Sequence, residues 1–398
     1  MSVPTAFDAF AIAAPGLEPV VAAELKALRA RGTRVIEGGV EFPAGHELLY
    51  AANLHLRAAS RVIIRLATFR ATSFAELERR GRRVPWERIV PEAGRVRLRV
   101  TCRKSRLYHS DGVAERLLAG IEQRTGATLA SATAAKTPIG RDPPDDDTGA
   151  GQLFIVRLER DQCTISADAS GAHLHQRGYR TAVTEAPLRE TLGAALVLAA
   201  GWDQKTPLVD PFCGSGTIPI EAALMARRIA PGKHRSFRFA EWPEFEPAIW
   251  DRVKARALET ERPSAGVAVV GSDRGRWAMR VSAENAERAG VASDVEFRLA
   301  EVTEAIPPTG SPGWMVTNPP YGVRLGQREE LRQLYADLGD VLRERFAGWH
   351  VGILSTDHRL DAQLRVPLLE RLRTTNGGIR VHFLVGIVSG RPVSESPL

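Results

Sequence analysis

A chain of 398 residues, 44% hydrophobic and 25% charged, is ordinary globular material with length for two or three cores, which argues against a disordered or fibrous protein. Its longest uncharged apolar run, Leu192 to Trp202, is far short of a membrane span, and Cys102, Cys163 and Cys213 lie too far apart for a disulfide frame or a zinc-ligand spacing. The formal charge of +7 sits wholly in residues 1–180, with 27 Lys and Arg against 20 Asp and Glu, while residues 181–398 hold 27 against 27. Such an excess fits a polyanionic partner as well as a plain solvated surface. No basic leader precedes the early AFAIAAPG stretch, so a cytoplasmic protein is expected.

From Phe7 to about Ser170, short strand patterns alternate with helical ones. FAIAA, VIEGGVEF, RVIIRLA and RVRLRVTC read as strands, Leu17 to Arg31 and Gly112 to Arg124 as helices, and LFIVRLERDQCTISADA as two strands turning near Asp161 and Gln162. The pattern is that of small α+β modules. RDPPDDDTGAG is a solvated connection, and RRGRR from Arg79 to Arg83 is either a basic contact or a solvated face. TCRKSRLYH, Thr101 to His109, mixes basic residues with Tyr108 and suits phosphate contact with base stacking, making Arg103, Lys104 and Arg106 the phosphate candidates. His173 and His175 are two apart and could mimic a ligand pair, but a strand or linker role is the simpler reading; no metal site is expected.

Near residues 171–186 the organisation changes. APLRETLGAALVLAAGW places Leu188, Leu192, Ala195, Leu196 and Ala199 on one helical face, and strand–helix alternation follows. In TPLVDPFCGSGTIPIEAALMARR a strand ends at Asp210, a glycine turn follows, and a helix starts near Pro219 with Thr217 placed to cap it. Gly214 and Gly216 let backbone approach a ligand at the carboxyl edge of a sheet, although a glycine pair alone could be a plain tight turn. The next strand, VAVVGSD, ends at Asp273, suited to the two hydroxyls of a ribose or, more blandly, to a helix cap. Asp273 lies too far from the glycines for a nicotinamide fingerprint. Strands ending near Glu301 and Thr317, HVGILST, and a hairpin about Asn376-Gly377-Gly378 complete an α/β sheet with an antiparallel finish.

The stretch TNPPYG, Thr317 to Gly322, is an unusual exit from a buried strand. Two prolines lack N–H groups and hold their predecessors extended, and Gly322 lets the chain turn away, so Asn318 and Tyr321 are displayed on a stiff bracket. DPFCGSGT, the acidic strand end at Asp273, TNPPYG and the hairpin together resemble the class I S-adenosylmethionine-dependent methyltransferases that act on exocyclic amines. FAIAAPGLEPVVAAELKAL, GAHLHQRGYR, APGKHRSFRFAEW and TNPPYGVRLG extend the likeness over nearly the whole chain. They resemble the THUMP-containing RNA N2-guanine methyltransferases, most closely those modifying bacterial 23S ribosomal RNA.

That resemblance implies a ferredoxin-like subdomain over residues 1–60, a THUMP RNA-binding domain over 61–170, a linker over 171–186 and a Rossmann-like methyltransferase domain over 187–398. It implies S-adenosylmethionine held by Asp210, Phe212, Gly214, Gly216, Thr217, Asp273 and Asn318, with Asn318, Pro319 and Tyr321 catalytic. Glu301 stands where the family commonly carries an aspartate toward the adenine. Arg177 and Arg180 are further RNA-contact candidates that could instead form interdomain ion pairs. A guanine N2 amine is a poor nucleophile because its lone pair is delocalised; the Asn318 oxygen and the Pro319 carbonyl could each accept an N–H, favouring a pyramidal nitrogen, while Tyr321 stacks on the base. This scheme needs no metal. The competing readings are a tRNA guanine-N2 methyltransferase, a nucleic-acid adenine-N6 methyltransferase, and a noncatalytic RNA-binding protein. Some members carry a second methyltransferase domain, which is not expected here.

Overall fold

The computed structural model describes residues 6–134, 149–180, 188–321 and 328–389. Gly322, most of the acidic connection and the end of the 171–186 segment lie outside them. The chain forms two compact units, Met1–Leu174 with Gly232–Arg256, and His175–Pro231 with Ala257–Leu398.

In the first unit the chain runs β1 (Phe7–Ala13), α1 (Glu18–Ala27), β2 (Arg34–Ile36), β3 (Gly39–Ala44), α2 (His46–His55) and β4 (Ala59–Arg70). It continues with α3 (Phe74–Gly81), β5 (Arg95–Arg103), α4 (Ser110–Thr125), β6 (Thr128–Ala134), β7 (Gln152–Glu159) and β8 (Gln162–Asp168). VIEGGVEF is two strands, not one. Gly38 takes a φ of 84°, and a Cβ on Gly39 would lie 2.2 Å from the Ala11 carbonyl oxygen, so the chain reverses there and β2 pairs antiparallel with β3. The β7–β8 turn falls as expected, with Arg160 and Asp161 both at positive φ. All eight strands form one sheet in the order β2-β3-β1-β4-β8-β7-β5-β6. β4 pairs antiparallel with β1 on one side and β8 on the other, so its twelve residues tie the two α+β modules into a single layer.

The second unit opens with α5 (Glu190–Ala200), β9 (Leu208–Asp210) and α6 (Thr217–Ala226). α5 is buried on nearly every side rather than on one face. α6 begins at Thr217 itself: Gly216, at φ 83°, is the N-cap, so Thr217 is not the capping residue expected of it. The following segment returns to the first unit. Phe239 stacks on Tyr50 with ring centroids 4.3 Å apart, Trp250 stands edge-on to Phe237 and Phe239, and the Trp242 indole N–H donates to the Gln152 side chain at 2.8 Å. The helix α7 (Pro247–Glu259) starts in this aromatic cluster. APGKHRSFRFAEW is therefore a packing element of the first unit, supplied from between two strands of the second unit's sheet.

That sheet resumes with β10 (Val269–Asp273), α8 (Arg276–Arg288), β11 (Val295–Leu299), β12 (Trp314–Thr317), α9 (Arg328–Arg345) and β13 (His350–Ser355). The one-turn α10 (His358–Asp361) leads to the hairpin β14 (Leu368–Asn376) and β15 (Ile379–Ile387), with Gly377 and Gly378 at positive φ as the turn demands. The order is β11-β10-β9-β12-β13-β15-β14, parallel from β11 to β13, with β15 antiparallel to both neighbours. This is the Rossmann-like α/β plan read from the sequence. Tyr335, Leu338, Leu342 and Phe346 of α9 and its end pack with Met315, Val351 and Ile353 as its core. No described helix is long and apolar enough to cross a membrane.

Candidate active site

The carboxyl ends of β9, β10 and β12 converge, because the connection order reverses between β9 and β12 and leaves a crevice at that edge. The glycine turn after β9 is closed by Gly216 N–H to the Cys213 carbonyl at 2.8 Å and tied to β10 by Cys213 N–H to the Ser272 carbonyl at 2.9 Å. Gly214 has φ 52°, and a Cβ on Gly216 would stand 2.9 Å from the Ser282 Cβ and 3.0 Å from the Phe297 ring. Only glycine fits there.

Asp273 spans this turn and the next. One carboxylate oxygen accepts Gly214 N–H at 3.2 Å, the other Gly275 N–H at 2.8 Å, leaving the remaining lone pairs for a ligand. Asp210 is buried at the end of β9 and accepts the Thr317 hydroxyl at 2.6 Å and Phe212 N–H at 3.1 Å. Burial outweighs those two bonds and, with the neighbouring Asp273 charge, pushes Asp210 up to about 7. A carboxyl whose folded-state value is raised stabilises the fold while protonated, and that contribution disappears as pH rises through about 7. Asp210 should therefore contribute a loss of stability between about pH 4 and 7, and Asp210→Asn should remove that contribution, so that the variant's stability falls less over this range. Urea denaturation at each pH checks this; equal slopes for the two proteins would refute the assignment.

In the bracket, Pro319 is buried, Pro320 exposed, and Asn318 and Tyr321 lie between. The Asn318 Oδ1 is buried and accepts no hydrogen bond among the described residues. A buried acceptor without a donor costs about 1–3 kcal/mol, so the site is poised for an N–H from outside. The Tyr321 hydroxyl accepts the Asn376 Nδ2 at 2.7 Å, which ties the bracket to the hairpin; burial raises its titration, so the phenol stays neutral.

The other expected residues sit as follows. Thr217 is buried, and its hydroxyl accepts Arg180 Nη2 at 2.5 Å. Phe212 packs against the core behind the turn. β11 ends at Leu299, and exposed Glu301 forms a capping box with Glu304, so its carboxylate has a local structural use. Arg177 does not face solvent: it is 4% exposed and pairs with buried Glu221 at 3.3 Å, while Arg180 pairs with Glu190 at 3.3 Å. Both pairs lie within the second unit, so the phosphate role expected of Arg177 gives way to a structural one and the ion-pair alternative is made inside one unit. In the first unit Arg103, Lys104 and Arg106 are exposed, and Tyr108 is 69% exposed. The loop is held by Arg106 N–H donating to the Asp161 carboxylate and by Asp161 N–H donating to the Ser105 hydroxyl.

Sequence reasoning gave no part in the site to Thr317 or Asn376, read only as a strand end and a turn residue, and none to Trp277. Trp277, at 54% exposure, carries Arg280 over its ring at 4.3 Å beside exposed Arg274 and Arg276, a basic and aromatic mixture like the Arg103–Tyr108 one. The signal was present in RGRWAMR and hidden by the zero net charge of that half.

Residues 177–383, more than half of the chain, match the family described as RMKL-like, methyltransferase domain, and residues 8–63 match the RlmL ferredoxin-like domain. The chain belongs to the RMKL-like methyltransferases. The ribosomal RNA large subunit methyltransferase K/L of Syntrophotalea carbinolica is 36% identical over 94% of this chain, which spans 53% of that protein, about half its length. The slr0064 protein of Synechocystis, whose name assigns it provisionally to the RNA methyltransferases, is 32% identical over 93% of this chain and 94% of its own. The crystal structure of SMU.472 complexed with SAH superposes with a TM-score of 0.84 at 28% identity, covering 98% of this methyltransferase and all of that chain.

Proposed function

We propose that this methyltransferase moves a methyl group from S-adenosylmethionine to the N2 amine of a guanine in 23S ribosomal RNA, acting in the cytoplasm. The observation that carries the reading is the Asn318 Oδ1, buried and without a donor among the described residues, on a double-proline bracket that follows the Thr317–Asp210 contact. The residues fit the cofactor. Gly214 and Gly216 leave no side chain between backbone and ligand, and Asp273 keeps free lone pairs for ribose hydroxyls. When bound, S-adenosylmethionine supplies an electrophilic methyl on a sulfonium. The protein's task is the amine: the Asn318 oxygen and the Pro319 carbonyl take its two N–H groups, which favours a pyramidal nitrogen with an available lone pair. Tyr321, fixed by Asn376, offers a ring for the extruded base.

The substrate assignment leans on the ribosomal RNA named for the K/L relative and on the exposed basic loop of the first unit, which we read as a THUMP module over residues 61–170 behind a ferredoxin-like subdomain. Asp273→Ala should weaken S-adenosylmethionine by about 1–3 kcal/mol, as for lost hydrogen bonds to a charged group. Calorimetry reads this, and an unchanged affinity would remove Asp273 from the site. The acceptor is tested with inosine, which lacks the N2 amine. A 23S transcript carrying inosine for guanosine should accept no methyl group; undiminished methylation would overturn the guanine reading.

A further inference from the structure

Outside the methyl-transfer site, His358 and Asp361 of α10 and His382 of β15 bring three ligand-type atoms together within 4.8 Å of one another. The Asp361 Oδ2 lies 2.7 Å from His382 Nε2 and 3.2 Å from His358 Nδ1, and the two imidazoles stack with centroids 4.3 Å apart. The other carboxylate oxygen, Oδ1, is buried and has no partner among the described residues. His382 is buried and held in register between Ser355 and Arg373, whereas His358 is 71% exposed. We propose that His358, Asp361 and His382 form a binding site for one divalent transition-metal ion, with Zn2+ as the representative ion.

The chemistry follows from the donor set. Two imidazole nitrogens and one carboxylate suit zinc, nickel or copper, and disfavour magnesium and calcium, which take all-oxygen shells. Bonds of about 2.0–2.2 Å to nitrogen and oxygen require donor atoms roughly 3.3 Å apart around a tetrahedral ion, so the His382–Asp361 contact must open slightly and the exposed His358 ring must turn out of its stack on His382 to bring its lone pair onto the ion. His382 and Asp361 are anchored by the sheet and by the helical turn, which limits the ordering cost of binding. His358 lies at the solvent side, which leaves the entry path and a fourth position to water. The ion would clamp α10, the segment leaving β13, onto β15.

The test uses the tag-free, chelator-stripped full chain titrated with Zn2+ by calorimetry and with Co2+ by visible absorbance. One ion per chain, with Co2+ bands of low coordination number, is the expected result. His358→Ala, at an exposed position that should leave folding intact, should weaken Zn2+ at least tenfold, and Asp361→Asn should do the same. His382→Gln adds a buried counterpart, checked for folding by circular dichroism. Absence of a stoichiometric site, or His358→Ala and Asp361→Asn binding as tightly as wild type, would overturn the proposal and leave the trio as a hydrogen-bonded cluster. None of these readouts depends on methyl transfer.

Discussion

Asn318→Ala is expected to lower single-turnover methyl transfer by about a hundredfold or more, roughly 3 kcal/mol of barrier, while S-adenosylmethionine affinity changes little. The asymmetry follows from when the contact matters. A planar guanine amine already shares its lone pair with the ring and needs little from Asn318 in the ground state, whereas the pyramidal nitrogen of the transition state puts its N–H groups where the Oδ1 and the Pro319 carbonyl can accept them. The acceptor is buried and donorless among the described residues, so losing it takes away one of the two acceptors proposed for the amine. Rapid-quench kinetics with saturating RNA and cofactor separate the chemical step from product release. A rate within a factor of about three of wild type would remove the bracket from the chemistry.

Replacing Arg103, Lys104 and Arg106 together by Ala should weaken RNA binding about a hundredfold near 0.1 M salt and lower the salt slope by about two to three, since each lost phosphate contact removes about 0.7–0.9. These side chains are exposed on a loop pinned by Asp161, so their loss should alter the surface and not the fold. Substitution is also a cleaner test than deleting the first 170 residues. Deletion would strip Tyr50 from Phe239 and leave Phe237, Phe245 and Trp250 of the 232–256 segment without the layer they pack in. Filter binding across a salt series reads both numbers; an unchanged slope would place the RNA contacts elsewhere, with the Arg274–Arg280 surface as the next candidate.

Much of the architecture was legible because each cue had a local physical cause. The β14–β15 hairpin announced itself through Asn376-Gly377-Gly378, the second sheet through apolar runs closed by Asp210, Asp273 and Thr317, and the bracket through consecutive prolines. What was not legible depended on distant pairing. Nothing in GKHRSFRFAEW says that Phe239 stacks on Tyr50, nearly two hundred residues earlier, so the sequence places that segment in the second domain, within residues 187–398. The partner of Asp210 is Thr317, a neighbour only once β9 and β12 stand close in the sheet. Thr217 read as a cap because hydroxyls commonly cap, yet Gly216 at positive φ is the N-cap and the helix starts at Thr217, two residues before the expected Pro219. Arg177 stood between an RNA contact and an interdomain ion pair in the sequence, and only the fold supplies buried Glu221 as its partner.

The most direct test of the account is the identity of the nucleoside that receives the methyl group. Purified protein, a 23S ribosomal RNA transcript and S-adenosylmethionine with an isotopically labelled methyl are incubated, the RNA is digested to nucleosides, and the labelled product is identified by mass spectrometry. The account predicts N2-methylguanosine, lost in Asn318→Ala. Label in N6-methyladenosine, or an RNA that takes up no label while the protein binds the cofactor, would contradict it.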